Sequence, residues 1–168
     1  MDIDAYLKVD ECFRRFEMIE KLKTVSKDRE VIFLCVGNAK IWFDSFGPLM
    51  GSLLQMIDIE KYVYGNIKYS IVSSNLEEYI DMIYKFHVKP YIVVIDNAIS
   101  NVSKPCLKIK EGSIKCACLS RAIEVGDMSI IYSLNPNHIK DCSNYKYMLS
   151  SVKNLARMIK FVFENNKA

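Results

Sequence analysis

Two unbroken apolar runs constrain this chain more than any other feature in it. "VIFLCVG" (31–37) and "YIVVIDNA" (91–98) are rich in β-branched residues and carry no polar residue before their last positions. A strand with one face in water alternates apolar and polar side chains, whereas a continuous run has to be buried on both faces. Such strands belong to a mostly parallel sheet covered by helices on either side. A further strand is predicted at "DMSIIYSL" (127–134), and shorter ones at "IKYSIVS" (67–73) and "CLKIKEG" (106–112).

Helical periodicity fills the spaces between these runs. Val9, Cys12, Phe13, Phe16, Ile19 and Leu22 fall on one stripe of period near 3.6. Gly47-Pro48 opens "PLMGSLLQMI", where proline in the first turn gives up an N–H that has no partner anyway. "LEEYIDMIYKFH" (76–87) reads as a helix with Asn75 and Glu78 as a capping pair, ending before Pro90. His87, at its end, complements the helix dipole. The closing helix carries Met148, Val152, Leu155, Ile159 and Val162 on one face. This order predicts a three-layer α/β/α sandwich with a mixed, mostly parallel sheet and an antiparallel edge among the later strands. With no repeat or linker, residues 1–168 read as one domain, residues 1–27 forming an N-terminal helix packed on it.

Composition narrows the function. A net charge of +3 without a dense basic run gives no argument for nucleic acid. Lys108, Lys110 and Lys115 alternate with apolar residues, as on a solvated strand face. "MDIDAYLKVDECF" lacks the basic and apolar segments of a signal peptide, and no apolar run is long enough to span a membrane. A cytoplasmic protein with its six cysteines reduced is the expectation. Cys116 and Cys118 form a single C-x-C, short of the two pairs a structural zinc site uses. Gly37 has no companion glycines at phosphate-loop spacing, so no nucleotide cofactor is expected.

Chemistry concentrates in "CVGNAKIWFDSFGP" (35–48). Asp44 follows the first buried run and Asp96 ends another, so both fall at the carboxyl edge of the sheet, where open α/β sheets bind ligands. If they converge, the pair shares a proton, and one acid activates water while the other protonates a leaving group. Alternatively the pair holds a divalent metal, with His138 as third ligand. Local roles compete with both. Asp44 or Ser45 can satisfy N–H groups at the helix start, and Asp96-Asn97 can form an Asx turn. Trp42 reads as a hydrophobic cover or a partner contact.

The spacing of Gly37-Asn38, five residues, Asp44, Gly47 and Pro48 resembles the loop of the YyaC-like sporulation proteins. It is also similar to loops of the spore germination protease and of the hydrogenase maturation endopeptidases, the latter with Glu in place of Asp44. "VVID" (93–96), "KEG" (110–112) and "VGD" (125–127) extend the likeness over about residues 30–160. The resemblance implies a phosphorylase/hydrolase-like fold and a role in sporulation, in the cytoplasm of the sporulating cell or the spore core. It implies Asp44 and Asp96 as the catalytic pair, with Gly37, Asn38, Ser45, Gly47 and Asn97 around the cleft. Its substrate would be a protein or peptide, small acid-soluble spore proteins among them, and no organic cofactor is implied. Two alternatives stand beside this peptidase reading: a non-catalytic spore protein that kept the fold as a binding module, and a metal-dependent maturation-type endopeptidase. Ala39, Trp42 and Phe43 depart from the YyaC-like loop, the last two being bulky enough to narrow or cover a cleft.

Overall fold

The structure is a computed structural model that describes residues 3–117 and 122–164, with side chains described from residue 14 onward and not at residue 117. Five strands form the central sheet: β1 (Glu30–Cys35), β2 (Tyr62–Tyr64), β3 (Pro90–Ile99), β4 (Cys106–Glu111) and β7 (Met128–Leu134). Their order is β2-β1-β3-β7-β4, and β5 (Ile114–Ala117) pairs with β6 (Ala122–Val125) in a separate hairpin. All ladders of the main sheet are parallel except β4 with β7, which gives the antiparallel edge. Leu107 and Ile109 of that edge strand pack on the core, while Lys108 and Lys110, which alternate with them, are exposed.

The sheet divides the interior in two. On one face Phe33, Val93, Ile95 and Ile130 pack against α1 (Ile3–Val25), α2 (Phe46–Met56) and α5 (Tyr145–Glu164). On the other face Ile32, Leu34, Ile92 and Val94 meet α3 (Leu76–Phe86) and the β5–β6 hairpin. Every residue from Val31 to Cys35 and from Ile92 to Ile95 is at most 1% exposed, as unbroken apolar strands require. Ile19 and Leu22 of the N-terminal stripe are fully buried; Val9, Cys12 and Phe13 lie outside the described side chains.

Three local expectations are corrected. The second strand is Tyr62–Tyr64, not 67–73, which contributes only an isolated bridge between Val36 and Ile71. Asn75 does not cap α3; its Oδ1 accepts from the Val72 N–H at 2.8 Å and its Nδ2 donates to the Ser70 carbonyl. The His87 ring leaves the helix end, its Nδ1 facing Glu30 Oε2 at 2.8 Å and its Nε2 the Tyr64 hydroxyl at 2.7 Å. A tertiary network therefore replaces the dipole contact.

Candidate functional site

The chain order β1, β2, β3 with spatial order β2-β1-β3 means that connections leave β1 in one direction and return on its other side. Between β1 and β3 lies the topological switch point, where open α/β sheets bind ligands. The β1–β3 ladder stops at Cys35 and Ile95, while β3 stays paired with β7 through Ile99. Asp96 is thus not a strand end, as the sequence suggested. It is the first residue of β3 left without β1 beside it, and the departing chain opens a cleft there.

Two glycines shape the loop that fills the gap. Gly37 has φ +138°, and a Cβ there would meet the Asp44 carbonyl at 2.2 Å. Only glycine lets the loop double back this tightly. The chain then makes a single 3-10 turn, Trp42–Asp44, and starts α2. At Gly47 a Cβ would stand 2.0 Å from the Val36 carbonyl and 2.8 Å from that of Ile95, so the first turn of α2 rests on the ends of β1 and β3. The spacing from Gly37 to Gly47 is the footprint of these two close approaches.

Asp44 is brought back over the sheet edge by this fold. Its Oδ2 accepts from the Asn38 N–H at 2.9 Å, and the Asn97 side chain also hydrogen-bonds the carboxylate. The Asp44 side chain does not cap α2, and neither does that of Ser45, which holds the N-cap position but donates its hydroxyl to the Trp42 carbonyl at 2.7 Å. Burial raises the Asp44 carboxyl above the usual range, opposed by the two hydrogen bonds, which favour its ionised form. Asp96 accepts from the Asn97 N–H at 2.7 Å but is pushed up to about 7, chiefly by burial and further by the Asp44 charge. The two acids face one cleft of about 350 Å³, together with Gly37, Asn38, Val72, Asn97 and Cys116. Larger cavities exist elsewhere, yet this one holds the two interacting carboxyls.

Such a pair is divided by its environment. Asp44, with two donors, is the better base; Asp96, with its proton retained to near neutrality, is the better acid. The Asn97 Oδ1 is buried with no partner, leaving one acceptor at this site for an N–H group. Cys116 on the hairpin lines the same cleft, and only its place in a C-x-C marked it beforehand.

Several expected site residues sit elsewhere. Ser45 and Gly47 support the loop from beneath and do not line the cleft. Trp42 stands edge-on to Tyr145 at the start of α5 and to Phe43, and both pack on the α2–α5 core, so neither covers the cleft. His138 belongs to a capping box at the start of a short helix, α4 (Pro136–Lys140). Its Nδ1 accepts from the Asn135 N–H and its Nε2 lies 3.2 Å from the Ser103 carbonyl, with the ring beside another cavity. It does not join the acids. Among the described residues no three His, Cys, Asp or Glu side chains are placed to share an ion, so the donor set does not fit a three-ligand metal centre.

The fold and cleft define a class: three-layer α/β proteins with paired carboxyls at the switch point of a mostly parallel sheet. The [NiFe] hydrogenase maturation protease HycI of Thermococcus kodakarensis KOD1 has a similar fold, with a TM-score of 0.51 and 14% identity. The likeness covers 83% of this chain and 98% of that one. The chain belongs to the family described as "Protein of unknown function (DUF1256)", whose model matches residues 6–161. It is 27% identical over 106 residues to "Uncharacterized protein YyaC" of Bacillus subtilis (strain 168), a stretch covering 61% of this chain. The match spans about half of that curated relative, 52% of its length. The YyaC match agrees with the resemblance read from the loop, and the likeness to the maturation protease is one of fold.

Proposed function

We propose that this protein is a peptidase of sporulating cells in which Asp44 and Asp96 act as a base and an acid on one water molecule. The observation that carries the reading is the convergence of both carboxyls on one cleft, where burial pushes Asp96 up to about 7. Asp44 takes a proton from water as the oxygen attacks the peptide carbonyl carbon, and Asp96 gives its proton to the carbonyl oxygen. Collapse of the gem-diol adduct then breaks the C–N bond and expels the amine, the proton on Asp44 passing to its nitrogen while one gem-diol hydroxyl returns its proton to Asp96 as the carbonyl re-forms. Small acid-soluble spore proteins are the proposed substrates, on the strength of the loop's likeness to the germination protease, and the cytoplasm of the sporulating cell or spore core is the proposed setting.

The test is incubation of the purified protein with small acid-soluble spore proteins, with and without divalent metal, beside Asp44→Asn and Asp96→Asn. Cleavage is expected to be unaffected by chelator and to fall by about 10²-fold or more in either variant. Activity should decline as pH rises past about 7, because Asp96 then loses the proton it donates. Cleavage that persists in Asp96→Asn sinks the paired mechanism. Saturable binding without cleavage by the wild-type protein assigns the cleft to a binding module.

A further inference from the structure

On the α5 side of the sheet, with no lining residue in common with the acid cleft, two adjoining cavities of about 620 and 400 Å³ share Lys104, Pro105 and Ser151 as walls. They lie between α5 and the segment that leads into β4. Together they fall in the size range of small-molecule sites. The larger compartment presents hydroxyl and amide groups, with Tyr132, Asn144 and Ser150 on its walls. The smaller one has an apolar wall of Leu107, Ile109, Leu155 and Met158, with Arg15, Ser151 and Asn154 beside it.

Tyr132 gives the larger compartment a purpose. The residue is 1% exposed, its ring lies stacked on Phe46 with centroids 5.0 Å apart, and its hydroxyl is buried without a hydrogen-bond partner. Buried polar groups are almost always paired, so an orphan donor on a cavity wall marks where a ligand acceptor belongs. Burial also pushes this phenol up to about 12, which keeps it a donor at any physiological pH. No acidic side chain lines either compartment among the described residues, whereas Lys104 stands where they meet and Arg15 lies on the wall of the smaller. His138 adds no open donor or acceptor, as both its ring nitrogens face partners.

We propose that this double cavity binds a small organic acid, its carboxylate held by Lys104 and the Tyr132 hydroxyl and its apolar body lodged between Leu107 and Met158. The site is independent of the peptidase reading, since it shares no residue with the acid cleft.

Trp42 is the chain's single tryptophan and packs on Tyr145, between the cavity-lining Asn144 and Tyr147, so its fluorescence reports on the site. The full chain is titrated with octanoate below its micellar range, with octanamide and with inorganic phosphate, while amide shifts of Ser150 and Ser151 are followed by NMR. Octanoate is expected to saturate both signals, octanamide to bind about tenfold more weakly or less, and phosphate to leave them unmoved. Tyr132→Phe keeps the stacked ring and should weaken octanoate about fivefold or more while thermal stability is unchanged or raised, because an unpaired buried hydroxyl is removed. Lys104→Gln, at an exposed position, should weaken it similarly. Equal binding of octanamide, equal binding of phosphate, a Tyr132→Phe variant that binds as well as wild type, or no saturable response to octanoate would each overturn the assignment.

Discussion

Asp96 is held where its carboxyl titrates at about 7, against an ordinary value of 3.8. Its effect on stability is therefore opposite in sign to that of a salt-bridged aspartate. The folded protein binds the proton more tightly than the unfolded chain, so its contribution is fully present below the unfolded value, near 4, and is lost as pH rises through 7. At 1.36 kcal/mol per unit the ceiling is on the order of 4 kcal/mol. Guanidinium melts at pH 5 and pH 8 check this: wild type should lose stability between them, while Asp96→Asn should change less and exceed wild type at pH 8. Parallel pH profiles for the two proteins would refute it. Both acids were legible in the sequence because βα logic places the residues after buried runs at one edge. The position of His138 was not, because a loop histidine has no periodicity to follow and, beyond its local capping contact with Asn135, its other partner is the sequence-distant Ser103 carbonyl.

At the scale of elements, the site depends on α2 resting directly on the sheet. The helix contributes Phe46, Met50 and Leu54 to the core, and Gly47 makes the approach. Gly47→Ala places a methyl group against two backbone carbonyls, at 2.0 and 2.8 Å, which cannot rotate away as a side chain would. We expect a loss of about 3 kcal/mol or more in chemical denaturation and a displaced Asp44. Ser45→Ala, which removes one hydrogen bond to the Trp42 carbonyl, should cost only about 1 kcal/mol. Similar losses for the two variants would mean that the helix can shift to relieve the contact. Local pattern reading failed where turn chemistry overrode it. "IKYSIVS" alternates like a strand, but the Asn66 N–H bonds the Tyr69 carbonyl and the Tyr69 N–H returns to Asn66 Oδ1, closing a turn in its place. The "VGD" stretch served a purpose the sequence did not disclose. Asp127 accepts from the Ile92 N–H at 2.9 Å and pairs with Arg29 at 3.0 Å, fastening the end of the sheet opposite the cleft.

Over the whole molecule, stability is distributed unevenly, and the cleft lies at the boundary. β1, β3 and β7 are central strands with a neighbour on each side and both faces covered. Among the described residues β5 and β6 pair with each other and with no strand of the main sheet, and the hairpin adheres through Ile114, Cys116, Ile123 and Val125. Segments with few buried contacts open in local steps of low free energy, while core strands exchange only on global unfolding. The runs that made the central strands legible in the sequence are thus the most stable part of the fold. The hairpin was not read from the sequence, because its strands are only four residues each and their packing partner is a sheet face far away in the chain. Cys35 and Cys116 provide a direct comparison, since both thiols are buried, one in β1 and one in the hairpin where it lines the cleft. Native-state hydrogen exchange should show 114–117 and 122–125 exchanging faster than 31–35 and 92–95 by about 10²-fold or more. Alkylation followed by peptide mapping should modify Cys116 well before Cys35, whose labelling should track global unfolding in low denaturant. Equal labelling rates would mean that hairpin and sheet open as one unit.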